Sequence, residues 1–168
     1  MSMRYGILFL ATLFVASGAA AKGFATLDLT GVGSAAAAAL GPGHAVRAEP
    51  RRLILLCETC AGEPVIDISI GNQTDGTEGR VRSSATSISD LELICRARNA
   101  DCRVSALEVE PAVGWVSAYP LGETAGATAV IIREGDMLIV RSLAQDLVAA
   151  RRGIDRLLPV LRDRIIGP

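Results

Sequence analysis

Residues 128–141 (TAVIIREGDMLIVR) determine the fold class of this chain. Two apolar runs, Thr128–Arg133 and Met137–Arg141, flank the short polar sequence Glu134-Gly135-Asp136. β-Branched and aliphatic residues favour extended backbone, and a short link containing Gly between two such runs is typical of an antiparallel hairpin. We therefore predict two paired strands joined by a tight turn at residues 134–136.

Four further runs have the character of strands. Leu53–Leu56 (LILL) is a continuous apolar run, whereas Pro64–Ile70 (PVIDISI) alternates, with its isoleucines on one face and polar residues on the other. The remaining two predicted strands are Arg103–Val109 and Val113–Tyr119. Because the links between neighbouring runs are short, we expect most of these strands to pair antiparallel.

Two capping boxes predict helices. Ser89-Asp90-Leu91-Glu92 predicts a short helix over residues 90–98, and Ser142-Leu143-Ala144-Gln145 predicts a long helix over residues 143–166. The long helix is amphipathic, since apolar side chains recur at steps of three and four. That stripe consists of Leu143, Leu147, Ala150, Ile154, Leu157, Leu161 and Ile165. Gly153 and Pro159 are expected to kink or divide the helix.

These elements together predict an α+β fold. We expect a mostly antiparallel sheet of about five to six strands, packed against a short central helix and a long C-terminal amphipathic helix. The compact domain is predicted to span residues 51–168. Residues 22–50 are rich in Gly and Ala, and we interpret them as a flexible lead-in with a short Ala-rich helix at 35–40.

Residues 1–21 have the pattern of a secretory signal peptide. Arg4 precedes Gly6–Val15, a run of ten largely apolar residues that is shorter than the roughly 20 needed to cross a bilayer. Ala19-Ala20-Ala21 meets the small-residue requirement for cleavage. We predict cleavage near Ala21 and a periplasmic or secreted protein that has no membrane attachment afterwards.

Composition excludes several classes of function. The net charge of −1 gives no electrostatic basis for binding nucleic acid. Lys22 is the only lysine, and His44 is the only histidine and lies in a Gly-rich segment. A Schiff-base enzyme, a Ser-His-Asp site and a His-rich metal site are therefore disfavoured. We predict no cofactor and no metal, and we favour a non-catalytic protein.

The four cysteines are the strongest chemical signal. An even number of cysteines in an exported chain predicts disulfides, here two bonds among Cys57, Cys60, Cys95 and Cys102. Pairing of neighbours would close two small loops, whereas cross-pairing would tie the first hairpin to the central helix. The sequence leaves this choice open.

The pair Cys57-x-x-Cys60 also permits two other interpretations. In a thiol–disulfide oxidoreductase, Cys57 would be the nucleophile and Cys60 the resolving thiol, but no helix follows the pair and Glu58 opposes thiolate formation. The segment Cys57–Gly62 (CETCAG) between two strands resembles, locally, the turn of a zinc knuckle. A small-ligand or metal binder that uses the sheet and the polar loop 71–80 is a further alternative.

The leading hypothesis is an exported, disulfide-stabilised accessory protein that acts by protein–protein contact. Assembly or maturation of a periplasmic redox enzyme is one such task, and the expected partner is a periplasmic or secreted protein. Trp115 and Tyr119 share a strand face and are candidates for the interface, because these residue types dominate binding surfaces. Asn72 and Asp75 in the polar loop are the other interface candidates. The sequence does not indicate the oligomeric state.

Overall fold

The computed structural model describes residues 23–60, 62 and 64–168. These residues form seven strands and four α-helices, with a π-helical turn at Arg162–Ile166. The strands are β1 (Ala45–Glu49), β2 (Arg52–Leu56), β3 (Val65–Asn72), β4 (Arg103–Ala106), β5 (Val113–Leu121), β6 (Thr124–Arg133) and β7 (Asp136–Ala144). The helices are α1 (Gly33–Leu40), α2 (Thr77–Arg82), α3 (Ile88–Arg96) and α4 (Leu147–Leu161).

The strands form one antiparallel sheet in the order β1-β2-β3-β7-β6-β5-β4. Every neighbouring pair is antiparallel, which confirms the α+β class and the antiparallel sheet. The sheet has seven strands in the described part of the chain, not five to six. The strand missed from the sequence is β1, because its five residues, AVRAE, contain two alanines and two charged side chains and carry little β-forming signal.

The hairpin at residues 128–141 is confirmed and extends beyond the predicted strands. Glu134 and Gly135 both have positive φ, 50° and 88°, as the two central residues of a type I′ turn require. Asp136, predicted to lie in the turn, pairs with Arg133 and begins β7. Strand β6 begins at Thr124 and β7 ends at Ala144, so the two strands have ten and nine residues.

The hydrophobic core lies between one face of the sheet and the helices α1 and α4. Alternate residues of β3 and β7 face this core, so Ile66, Ile68, Leu138 and Val140 are fully buried. Helix α4 contributes Ile154, Leu157 and Leu161, which are equally inaccessible. Each such side chain stabilises the fold by about 1.5–3 kcal/mol relative to exposure.

The segment before Arg51 contributes to this core. Strand β1 pairs along its whole length with β2, and Gly33 of α1 packs between Val46 and Leu53. The buried side chains of residues 24–40 are Phe24, Leu29, Val32, Ala36 and Leu40. The short Ala-rich helix expected at residues 35–40 lies within α1, and its small side chains let it pack closely on β1 and β2. The predicted signal peptide, residues 1–21, lies outside the described residues.

Helix α3 begins two residues earlier than predicted. Ser87 is the N-cap, since its hydroxyl accepts from the Asp90 amide and the Asp90 carboxylate accepts from the Ser87 amide. The prediction used the overlapping box Ser89–Glu92, which has the same Ser-x-x-acid spacing. Glu92 instead accepts a hydrogen bond from the Val104 amide at 3.0 Å. The choice between the two boxes therefore depended on a tertiary partner.

The C-terminal helix begins later than predicted. Asp146 is its N-cap and accepts from the Ala149 amide at 2.8 Å, whereas Ser142 and Leu143 belong to β7. The predicted box at Ser142 is therefore wrong, because strand pairing with β3 and β6 holds those residues extended. Helix α4 and the π-helical turn together cover residues 147–166, and Pro159 lies inside α4 without ending it.

Gly153 lets α4 approach the sheet closely. A Cβ atom at this position would lie 2.8 Å from Pro64 Cγ, 2.9 Å from Ser142 Oγ and 3.0 Å from Ile66 Cδ1. Ser142 is buried, and its hydroxyl has no hydrogen-bond partner among the described residues. The glycine thus marks a close contact of the two layers.

We expect Gly153→Ala to lower the free energy of unfolding by about 1–2 kcal/mol, because overpacking outweighs the gain in helix propensity. Ser142→Ala is the matched change on the strand side of the contact. It should leave stability within about 0.5 kcal/mol of wild type, since the lost hydroxyl makes no hydrogen bond within the described part of the chain. Urea unfolding followed by circular dichroism measures both, and a stabilised Gly153→Ala protein would contradict this account of the contact.

Candidate functional site

Cys57 and Cys60 form a disulfide in the turn between β2 and β3. Both residues are half-buried, and Glu58 and Thr59 between them are exposed. Gly43 packs directly on the bond, because a Cβ atom there would lie 3.0 Å from Cys57 Sγ and 3.1 Å from Cys60 Sγ. The disulfide therefore ties the turn to the loop before β1, and it can be reached from solvent on its other side.

No described helix begins at the Cys57–Cys60 turn. Strand β2 ends at Leu56 and β3 begins at Val65, so neither sulfur lies at the N-terminus of a described helix, where the dipole would favour a thiolate. His44, next to Gly43, directs Nδ1 to the Gly41 carbonyl at 3.0 Å, and its Nε2 has no partner among the described residues. The turn thus differs from thioredoxin-like sites, in which a helix lowers the first thiol's pKa.

Cys95 and Cys102 form the second disulfide, which joins α3 to the start of β4. The predicted disulfides are thus present, and the pairing is that of neighbours along the chain. Cys102 is fully buried. Asn99, between the two cysteines, donates from Nδ2 to the Pro120 carbonyl at 2.9 Å, so this disulfide loop is also anchored to β5. With all four sulfurs in disulfides, the thiolates that a zinc site needs are not formed.

The sheet face opposite α1 and α4 carries the sequence-predicted aromatic candidates. Trp115 and Tyr119 lie on this face of β5, and both are half-exposed. We call it the open face, since its side chains across the middle of the sheet keep contact with solvent. Its middle rows comprise Val65, Asp67, Ser69, Ile139, Arg141, Leu143, Trp115, Ser117, Tyr119, Thr128 and Val130.

One row of the open face is apolar and exposed. The strand register aligns Val65, Leu143, Gly126 and Tyr119 across β3, β7, β6 and β5. Gly126 leaves room for the aromatic ring, because a Cβ atom there would lie 2.7 Å from Tyr119 Cε2. Leu143 is 46% exposed and the neighbouring Leu121 is 47% exposed. We call Val65, Tyr119, Leu121 and Leu143 the apolar patch.

The next row is polar and carries opposite charges. Asp67 accepts two hydrogen bonds from Arg52, each of 3.1 Å, and its carboxylate lies 3.9 Å from the Arg141 guanidinium. The Tyr119 hydroxyl lies 3.1 Å from Thr128 Oγ1. A polar row with satisfied partners therefore borders the apolar patch, as the polar rim does in protein interfaces.

Sequence reasoning missed three members of the apolar patch. Leu143 was assigned to the stripe of the C-terminal helix, and Val65 and Leu121 were not considered as site residues. Strand alternation was the available signal for Val65, since it shares a face with Asp67 and not with the buried isoleucines. Recognising Leu143 required knowing that β7 continues to Ala144.

Asn72 and Asp75 lie away from the two aromatic candidates. Asn72 ends β3 on the side of the core and donates from Nδ2 to Asp136 Oδ1 at 3.3 Å. Asp75 precedes α2, and its carboxylate accepts from the Thr77 amide at 2.9 Å. Hydrogen bonds from Thr77 hold the pKa of the Asp75 carboxyl below its ordinary value. The four predicted interface residues therefore do not form one surface.

Glu78 of α2 holds the β6–β7 turn. Its Oε1 accepts from Arg82 at 2.8 Å and its Oε2 accepts from the Gly135 amide at 3.2 Å. Partial burial acts to raise the pKa of Glu78, but the hydrogen bonds from Arg82 and from the backbone at residues 134–135 outweigh it, and the pKa lies below its ordinary value.

Other potential sites offer little chemistry. A groove of about 680 Å³ lies between the chain around α2 and α3 and the start of β5. Its ionisable lining residues are Glu108, Glu110 and Arg162, and Arg162 already donates to the Glu108 carbonyl. Over residues 23–60, 62 and 64–168, no three His, Cys, Asp or Glu side chains are arranged to hold a metal ion.

Among the helices that the structure describes, none combines the length and the apolar character needed to cross a bilayer.

Comparison with known proteins gives no family. No protein-family model matches the chain, and no curated protein matches it at a significant level. The functional conclusion therefore rests on the residues and geometry of this chain.

The lowered pKa of Glu78 predicts a pH-dependent contribution to stability. The ionised carboxylate stabilises the fold above the ordinary pKa of 4.5, and this contribution is lost as pH falls through the lower folded-state pKa. Glu78→Gln should therefore be less stable than wild type at pH 7, by up to about 1 kcal/mol, and nearly equal to it at pH near 2–3. Exposed Glu123→Gln is the control. A Glu78→Gln deficit that persists unchanged in acid would contradict the assignment.

Proposed function

We propose that this protein is an exported, disulfide-stabilised accessory protein that acts by protein–protein contact. The observation that carries the proposal is the apolar patch on the open face. Four large apolar side chains lie together on a sheet surface that α1 and α4 leave uncovered, and contiguous exposed apolar surface is typical of interaction sites. The expected partner is a periplasmic or secreted protein.

The surroundings of the patch support protein binding better than binding of a small molecule. The open face is a broad sheet surface, whereas small-ligand sites are concave. Tyr119 brings a large rigid ring with a hydroxyl at its rim, which is the character of an interface anchor. The ion pairs of Asp67 with Arg52 and Arg141 offer charged groups of both signs beside the patch.

Export is proposed from the N-terminal sequence and from the cysteines. Two disulfides fit an extracellular or periplasmic compartment, because cytosolic thiols are kept reduced. In such a compartment a disulfide-stabilised scaffold with an apolar docking surface is suited to holding another protein during assembly. Assembly or maturation of a periplasmic redox enzyme is the task we propose to test first.

Affinity capture from a periplasmic extract of the producing organism tests the proposed contact. Leu143→Asp places a charge in the centre of the patch and should reduce the captured partner at least tenfold, since burying an unpaired carboxylate opposes binding. Leu93→Asp is the matched control, because Leu93 is 65% exposed on α3 and lies outside the patch. Wild type and Leu93→Asp should retain the same partner.

Two results would argue against this function. The first is that wild type captures no specific protein even after chemical cross-linking in intact cells. The second is that Leu143→Asp and Leu93→Asp retain the partner equally, in which case the contact lies elsewhere than the patch. Activities of periplasmic redox enzymes in a deletion strain provide the physiological readout for the proposed maturation role.

A thiol–disulfide exchange function is the second candidate. It is favoured by the half-exposed Cys57–Cys60 bond, in which neighbouring cysteines pair as an oxidoreductase requires. In this role a substrate thiolate attacks one sulfur, a mixed disulfide forms, and the second cysteine leaves as a thiolate. The missing helix dipole counts against a strongly activated first cysteine.

Reduction by graded dithiothreitol, with thiols alkylated and located by mass spectrometry, tests this candidate. The exchange function requires Cys57–Cys60 to be reduced at a reductant concentration at least tenfold lower than Cys95–Cys102, whose Cys102 is fully buried. Insulin reduction should then be lost in Cys57→Ser. Equal resistance of the two bonds, or no insulin reduction by wild type, would leave a purely structural role for both.

A further inference from the structure

The two edge strands of the sheet, β4 and β1, differ in whether other parts of the chain bind their outward-pointing backbone groups. At the β4 edge, the Val104 amide points away from β5 and is bound by the Glu92 carboxylate of α3. The Cys95–Cys102 disulfide holds α3 beside this strand. Covering an edge in this way prevents another strand from pairing with it.

Within the described part of the chain, the β1 edge is covered only at its end, where the Leu29 amide donates to the Pro50 carbonyl at 2.8 Å. The hairpin link Pro50-Arg51 makes Glu49 and Arg52 the first hydrogen-bonded pair, so Arg47 and Ala45 also bond to β2. The backbone groups of Val46 and Ala48 therefore point away from the sheet. Helix α1 packs beneath β1, since a Cβ atom on its Gly33 would meet the Val46 side chain. Val46 is 42% exposed.

We propose that β1 pairs antiparallel with β1 of a second copy of this chain, about a two-fold axis that passes beside Ala48. In this register Ala48 faces its own copy, and Arg47 of each chain lies opposite Glu49 of the other. The outward amides and carbonyls of Ala48 pair across the axis. Two seven-stranded sheets become one continuous sheet.

Charge complementarity selects the second copy and the register. Arg47 and Glu49 lie on the same face and already form an ion pair of 3.2 Å within one chain. Pairing about Ala48 surrounds each arginine with one glutamate along its strand and one across the interface. Opposite charges directly across two strands stabilise the pairing, and like charges destabilise it.

Charge disfavours the alternative registers, although an axis at Arg47 would pair the outward groups of Val46 with those of Ala48 on both sides of the axis. Only residues of the same parity can face one another, because the outward backbone groups alternate along the strand. A shift of the axis to Arg47 would place the two guanidinium groups opposite each other. A shift to Val46 would leave Glu49 beyond the paired region and remove the compensating charge.

The proposed dimer determines how the open faces of two chains are arranged. The pairing of β1 does not depend on the function proposed for the open face. A two-fold axis between antiparallel edge strands is perpendicular to the sheet, so both open faces lie on the same side of the dimer. The two apolar patches would then be presented together, although the pairing itself uses only β1.

Sedimentation velocity and light scattering on the oxidised protein test the proposal. We expect wild type to change from monomer to dimer between about 1 μM and about 200 μM, as fits a short edge contact of moderate affinity. Arg47→Glu gives two glutamates per edge, and Glu49→Arg gives two arginines. Each variant alone should dimerise at least tenfold more weakly than wild type.

Mixing the two variants supplies the decisive comparison. The glutamate introduced at position 47 of one variant would lie opposite the arginine introduced at position 49 of the other. The unchanged Glu49 of the first would lie opposite the unchanged Arg47 of the second, so the mixture should form a heterodimer about as well as wild type forms a homodimer. Native mass spectrometry distinguishes the heterodimer from both homodimers. Arg98→Glu, at an exposed position after α3, is the control for the change in net charge and should dimerise like wild type.

Three outcomes would overturn the proposal. They are a wild-type protein that stays monomeric at the highest concentration, single variants that dimerise as well as wild type, and a mixture of variants that remains monomeric while wild type dimerises. Thermal unfolding of each variant at low concentration verifies that the monomers are folded. The capture experiment on the apolar patch is independent, because Leu143 lies three strands from β1.

Discussion

The packing of α4 on the central strands is the contact on which the rest of this structure depends. Gly153 brings the helix backbone against Pro64, Ser142 and Ile66. The helix then covers β7, β6 and β5, and it buries Ile154, Leu157 and Leu161. Alanines on the facing side of β6 keep the two layers close, and α1 extends the same covering layer towards β1 and β2. Because the helix layer covers only one face of the sheet, the opposite face remains available for other interactions.

That asymmetry connects the fold to the proposed function. The open face keeps rows of apolar and polar side chains in contact with solvent, and the apolar patch is built by register, since Val65, Leu143 and Tyr119 meet only because the sheet aligns their strands. The two disulfides act at the margins of the sheet. One holds the β2–β3 turn against the loop before β1, and the other holds α3 along the β4 edge. Each stabilises a region where few large side chains are buried.

Much of the fold could be predicted from local patterns. The hairpin around Gly135, the isoleucine alternation of β3 and the apolar stripe of α4 are strong signals, because each repeats over several residues with a fixed period. Strand β1 and the start of α4 could not be predicted in the same way. Val46 is a single apolar residue between small and charged ones, and Ser142 matches a helix cap although pairing with β6 keeps it extended. For the site, Trp115 and Tyr119 were predicted to share a face and do so, whereas Asn72 bonds to Asp136 at the end of β3 and Asp75 bonds to the Thr77 amide before α2.

By itself, the sequence determined the α+β class, the antiparallel hairpins and the presence of disulfides, because these follow from periodicity, turn residues and cysteine number. Only the tertiary structure decided which cysteines pair, which face of the sheet α4 covers, and where the apolar patch lies. The physical reason is that these features depend on contacts between residues far apart in the chain. Glu92 is an example. As a helix cap it would bond only within its own helix, but the position of β4 makes its carboxylate the partner of the Val104 amide, and this contact covers one edge of the sheet.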